Sequence, residues 1–186
     1  MKENSEKEKN SKMRDIIGMI IYCLVIIGVM YLIITYVGQR TVVVGHSMET
    51  TLQDGDNLIT DKLTYRFKDP KRYDIIVFPF KDNTGKLLIK RIIGMPGETV
   101  QIKEGHVYIN GMQSDEHYCS ELIEEPGLAL NPIELQDDEY FVLGDNRNAS
   151  QDSRYISVGN VKREDIIGRA WLRIWPLNKF SLLKHQ

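Results

Sequence analysis

Cysteine, proline and charge of one sign are all scarce in this chain. Cys23 and Cys119 are the only cysteines among 186 residues, and their surroundings differ so much that a disulfide framework is not expected. No CxxC pair and no HExxH is present, so a zinc site has no support. A Walker loop and a dinucleotide-binding glycine fingerprint are missing too. His46, His106, His117 and His185 are scattered without ligand spacing and read as surface or packing residues. Asp54 and Asp56 around Gly55 read as a turn rather than a calcium loop. No cofactor and no metal is therefore expected. Lys plus Arg is 24 against 26 for Asp plus Glu, a net charge of −2, which argues against a nucleic-acid partner. Hydrophobic residues at 42% and aromatics at 9% supply a real core and exclude a disordered chain.

The mean hydropathy of −0.30 averages two unlike regions. Ile16–Val37 reads IIGMIIYCLVIIGVMYLIITYV, and no charge falls between Asp15 and Arg40. Twenty-two residues at about 1.5 Å each make a helix of roughly 33 Å, enough to cross a hydrocarbon core of about 30 Å. A buried core helix in so short a chain would not be apolar on every face. A cleaved leader has a shorter apolar run, ending at small residues. Here Gly38, Gln39, Arg40 and Thr41 follow, so the segment reads as an uncleaved anchor. Residues 1–15 carry Lys2, Lys7, Lys9, Lys12 and Arg14, whereas Arg40 is the only cation between the span and Lys62. The positive-inside rule then makes 1–15 a cytoplasmic tail, 16–37 a single transmembrane anchor and 41–186 an extracytoplasmic domain in the cell membrane.

That domain reads as mainly β. Thr41–Val44, Asn57–Thr60, Tyr73–Phe80, Lys86–Ile93, Thr99–Ile102, His106–Ile109, Glu139–Leu143 and Ala170–Trp175 are short β-branched or aromatic runs between turn signals. The spacing predicts a core over about 41–98 and 137–182 and a small inserted β subdomain over about 99–136. Helical signals are weak. Leu172, Ile174 and Trp175 fit either the core or a membrane interface.

Two segments carry possible chemistry. Gly45-His46-Ser47-Met48 follows an apolar strand, where a serine is either a turn residue or a nucleophile. In the strand at Leu87–Ile93, Leu88, Lys90 and Ile92 share a face. Lys90 is either a lysine snorkelling to water or a desolvated base. A lysine at its ordinary pKa of about 10.4 is only about 0.1% neutral near pH 7.4. Burial lowers that pKa by disfavouring the ammonium. A neutral lysine can take a serine's proton, and Ser–Lys pairs are a recognised variant of hydrolase triads.

The chain resembles bacterial type I signal peptidases (leader peptidases) over nearly its whole length. Four blocks stand in the family's order: Gly45-His46-Ser47-Met48 with Thr51-Leu52; Asp74–Phe78; Lys90-Arg91-Ile92-Ile93-Gly94-Met95-Pro96-Gly97-Glu98; and Gly144-Asp145-Asn146-Arg147 with Ser150, Asp152, Ser153 and Arg154. The single anchor and short chain look like the Gram-positive branch. The resemblance implies an antiparallel β-sheet Ser–Lys protease domain that removes N-terminal signal peptides after small residues at −1 and −3. Its partners would be preproteins bearing signal peptides, membrane phospholipid and, functionally, the secretion translocon. Ser47 would be the nucleophile and Lys90 the base. Ser150 would orient the lysine. Arg91, Asp145, Asp152 and Arg154 would brace the site, and Met48 would pack beside the nucleophile. Three departures stand out. Gly45 replaces a serine that joins the oxyanion hole in some members, so the hole here rests on backbone or water. Thr50 replaces a common proline, and Asn148-Ala149 replaces Asp-Asn. A self-cleaving Ser–Lys protease of the repressor type would need a DNA-binding head and no anchor. A tethered non-enzymatic chaperone would not need Ser47, Lys90 and Ser150 together.

Overall fold

A computed structural model describes residues 2–81, 85–119 and 121–183, with side chains from Lys12 onward except at 34; His185 lies outside them. The chain divides into two compact units, 1–38 and 39–186. In the first, helix α1 runs over Lys2–Tyr36. The segment read as a tail is thus helical as well, since its Lys and Glu residues favour helix almost as well as Ala does. Apolar side chains are exposed around the whole circumference, as with Ile17 at 49%, Leu24 at 62% and Tyr31 at 66%. Lys12–Ile33 is long and apolar enough to cross a membrane.

The second unit is mainly antiparallel β. Its larger sheet has the order β1-β2-β11-β3-β4-β9-β10, with β12 paired to β11. These strands are β1 Gly38–Val42, β2 Asn57–Asp61, β3 Ile75–Pro79, β4 Leu87–Gly94, β9 Glu139–Leu143, β10 Val161–Lys162, β11 Gly168–Trp175 and β12 Ser181–Leu182. A smaller sheet, ordered β7-β6-β5-β8, comprises β5 Thr99–Lys103, β6 His106–Ile109, β7 Met112–Gln113 and β8 Ile133–Glu134. Positive φ at Glu104 and Gly105 makes the tight turn between β5 and β6.

β4 is a central strand, buried from Leu88 to Gly94. Its alternation splits the core between the two faces of the sheet. Leu88 and Ile92 join Ile76, Phe78 and Val142 in one cluster. Ile89 joins Ile75, Val77, Met48 and Leu52 in another. The smaller sheet packs a third cluster, in which Val100, Ile102 and Val107 meet Ile93, Phe141 and Leu143. One helical turn escapes the sequence reading, α2 at Thr64–Phe67. It is too short to show a 3.6-residue period, and Asp61 starts it by accepting the Leu63 and Thr64 N–H groups at 2.9 and 3.0 Å. Trp175 is exposed, while Leu172 and Ile174 are half-buried.

Candidate active site

Ser47 lies in the loop that joins β1 to β2. The loop's ends are tied together by Val43 N–H to Asp56 O at 2.8 Å and Gly55 N–H to Val43 O at 3.0 Å. Gly45 has φ +90°, a conformation that only glycine adopts freely. Its N–H donates to Asp54 Oδ1 at 2.7 Å, so a residue read as a plain turn former holds the approach to Ser47. Met48 at 1% and Leu52 at 0% exposure plug the same loop into the core. Met48 packs there with Ile75, Val77 and Ile89.

Lys90 reaches this loop from the middle of β4. It is 3% exposed, and its Nζ donates to Ser47 Oγ at 2.7 Å. Burial pushes its pKa down to about 8, with Lys86 adding to the effect and the Asp152 and Asp145 carboxylates opposing it. At that value about a fifth of the lysine is neutral at pH 7.4. The separation of 43 positions in sequence is bridged by strand pairing, because the loop leads into β2, β11 and β3 stand between β2 and β4 in the sheet, and β3 sets Ile76 opposite Lys90.

Charged residues from the turn after β9 brace the pair. Arg91 grips Asp145 with two hydrogen bonds, Nε to Oδ1 at 2.8 Å and Nη2 to Oδ2 at 2.6 Å. Thr51 Oγ donates to the same carboxylate at 2.5 Å, and Asn146 N–H donates to the Ser47 carbonyl at 3.1 Å. Arg154 pairs with Asp152, Nε to Oδ1, at 2.8 Å, and Asp152 also accepts the Gly144 N–H at 3.1 Å. Arg91, Asp145, Asp152 and Arg154 therefore form two buried ion pairs. Asn148 bonds Glu124 N and Leu122 O, tying this turn to the segment that joins β7 to β8 of the smaller sheet.

Ser150 differs from the expectation. It is buried, but its Oγ has no hydrogen-bond partner among the described residues, so the bond to Lys90 is not formed here. Its hydroxyl lies against Gly144, where an added Cβ would collide with Ser150 Oγ and the Ser47 carbonyl. Gly144→Ala should therefore displace Ser47. We expect at least a tenfold fall in kcat and a loss of about 1–3 kcal/mol, read by peptide cleavage and thermal melting.

The sequence reading missed Tyr118, whose ring lies 4.0 Å from the Arg91 guanidinium, and Glu116, which pairs with Arg147 at 2.6 Å. Both belong to a polar stretch with no strand pattern, so nothing in it pointed inward. His46 and Glu49 were missed as a pair; they meet at 2.8 Å beside the nucleophile. A cleft of about 200 Å³ opens onto Ser47 and Lys90, with walls that include Val42, Val44, Leu87 and Ile89.

The chain as a whole has known relatives. The family described as signal peptidase, peptidase S26, matches residues 16–175. The chain is 44% identical over 154 residues to a probable signal peptidase I-2 of Synechocystis, covering 80% of this chain and 68% of that protein. It is 33% identical over 188 residues to signal peptidase I P of Bacillus subtilis subsp. natto, covering 97% of this chain and 99% of that one. A crystal structure of a signal peptidase I from Enterococcus faecalis V583 is 38% identical, with TM-score 0.47, over 55% of this chain and 97% of that one. The chain belongs to the signal peptidase family, peptidase S26. Like those relatives it is a serine endopeptidase of the signal peptidase I kind.

Proposed function

We propose that the chain is a membrane-anchored endopeptidase that removes signal peptides from exported preproteins, with Ser47 as nucleophile and Lys90 as general base. The observation that carries this reading is the 2.7 Å contact between Ser47 Oγ and a buried lysine. In its neutral form Lys90 takes the Ser47 hydroxyl proton as Oγ bonds the scissile carbonyl carbon. The carbonyl oxygen becomes an oxyanion, stabilised by the Ser47 N–H. The Lys90 ammonium then returns the proton to the departing amine, leaving the signal peptide esterified to Ser47. Water, deprotonated by Lys90, hydrolyses the ester. The shallow apolar cleft favours small residues at −1 and −3.

The anchor places enzyme and preprotein in one membrane surface and raises their effective concentration. The basic N-terminal segment puts the N-terminus in the cytoplasm and the peptidase unit outside. Phospholipid surrounds the anchor in this reading, and the secretion translocon delivers the substrate.

The test is incubation of the detergent-solubilised chain with a preprotein carrying an Ala-x-Ala site, followed by N-terminal sequencing of the product. The expected product begins directly after the second alanine. Cleavage elsewhere, or none by the folded chain, overturns the reading. The pH profile is a second test. Lys90 acts as the neutral base and titrates near pH 8. Below that value kcat/KM should rise about tenfold per pH unit, and above it the profile should level off. A profile flat from pH 6 to 9 contradicts the lysine base.

A further inference from the structure

A second cavity borders the loop that carries Ser47, lined by the residues that follow Met48 rather than by those before it. It holds about 190 Å³, and its walls include Glu49, Thr50, Tyr118, Cys119, Glu121 and Asn146. The two cavities differ in chemistry. The first sets Lys86 and Lys90 among valine, leucine and isoleucine side chains, whereas the second carries two carboxylates, those of Glu49 and Glu121, on side chains that reach solvent. Asp145 and Arg147 also border it, but both are buried and already paired, with Arg91 and Glu116. Their charges are therefore offset locally. Glu49 is half-buried and shares its Oε1 with His46 at 2.8 Å, and Glu121 is exposed. The cavity also adjoins the reacting atoms. Asn146, in its wall, donates its N–H to the Ser47 carbonyl, and Glu49 is two residues past the nucleophile.

A peptide cut at Ser47 must leave the site on both sides. If its signal-peptide end fills the apolar cleft, the segment after the scissile bond passes over Glu49 and Thr50. We infer that the cavity beside Glu49 and Glu121 receives the first residues of the mature chain and selects basic over acidic side chains there. This rests on the function proposed above. Exposed carboxylates act weakly, each charge pair changing an equilibrium only about one- to fivefold. Attraction of a cation and repulsion of an anion by two of them add up to a preference of about tenfold. Salt should erode it, because the Debye length falls from about 10 Å at 0.1 M to about 3 Å at 1 M.

The experiment uses one preprotein with an Ala-x-Ala site and Lys, Ala or Glu at positions +2 and +3. The full-length chain should show a Lys-to-Glu ratio in kcat/KM of about ten. In Glu49→Gln/Glu121→Gln that ratio should fall below about two. A ratio near one in the unmodified chain, or one unchanged in the double variant, overturns the inference while leaving signal-peptide cleavage standing. Cys119 supplies a readout that needs no turnover. It lies in the cavity wall and is partly exposed. In Ser47→Ala, the Lys preprotein should slow alkylation of Cys119 at least threefold at a concentration where the Glu preprotein does not. Equal or absent protection overturns the inference even if no preprotein is ever cut, an outcome that would separately sink the proposed function.

Discussion

Ser47→Ala and Lys90→Met should each lower kcat/KM by about 10⁴-fold or more, and Lys90→Met alone should make the protein more stable. The first effect follows from two groups that act as one unit. Removing either the nucleophile or its base from a serine hydrolase costs about as much as removing both, so the double variant should be no worse than either single one. The second effect follows from the same burial that makes Lys90 a base. Its pKa falls from 10.5 to about 8 on folding, which corresponds to about 3 kcal/mol of destabilisation by the buried ammonium. The direction is fixed by proton binding. Between pH 8 and 10.5 the unfolded chain binds the proton and the folded chain does not, so stability rises with pH across that window. The full penalty applies below about pH 8 and is relieved by pH 10.5. Methionine fills a similar volume without charge. At pH 7 the variant should therefore gain about 2–3 kcal/mol, less whatever the lost hydrogen bond to Ser47 contributed, and the gain should vanish near pH 10.5. Urea denaturation at pH 7 and pH 10 checks both statements. A Lys90→Met variant that still cuts would overturn the lysine base, and one that is less stable at pH 7 would show that the lysine's burial is not in tension with stability.

Asp145→Ala should cost about 3–5 kcal/mol, because it strands the Arg91 guanidinium in the interior. The Arg91 and Asp145 side chains are exposed by 1% and 0%. The bidentate pair leaves little for water to replace. The expected fall in melting temperature is about 10 °C, from roughly 2–4 °C per kcal/mol for a chain of this size. Activity should fall further than the folded fraction does. Asp145 also accepts the Thr51 hydroxyl, and Thr51 lies four residues from the nucleophile. Thermal melting combined with cleavage rates per folded molecule measures the two effects separately. A loss below about 1 kcal/mol would mean that Arg91 finds other partners, with the Tyr73 carbonyl at 3.0 Å the nearest.

The strands of the sheets were legible where their residues repeat with period two or form unbroken apolar runs. β4, β5, β6 and β9 fall within a residue or so of the runs read from sequence, because β-branched runs between turn residues have few other low-energy arrangements. α2, β7, β10 and β12 were not legible, since two to four residues carry no period. Their existence depends on neighbours that pair with them, as Tyr140 does with Val161 in β9 and β10. The candidate site divides in the same way. Ser47, Lys90 and the charges Arg91, Asp145, Asp152 and Arg154 could be singled out by residue type and motif order. Nothing local marked Asp54 as the acceptor for Gly45, Tyr118 as the cover on Arg91, or Glu116 as the partner of Arg147.

By itself the sequence determined the long apolar run, the mainly β domain and the order of the motifs that hold Ser47 and Lys90, because length, period and motif order are properties of the chain read in one dimension. Tertiary structure decided how far Lys90 is from water, which partner each buried charge takes, and that Ser150 stands against Gly144 without a bond to the lysine. Those outcomes depend on distances between residues tens of positions apart. Sheet register and core packing set such distances, and no local preference encodes them.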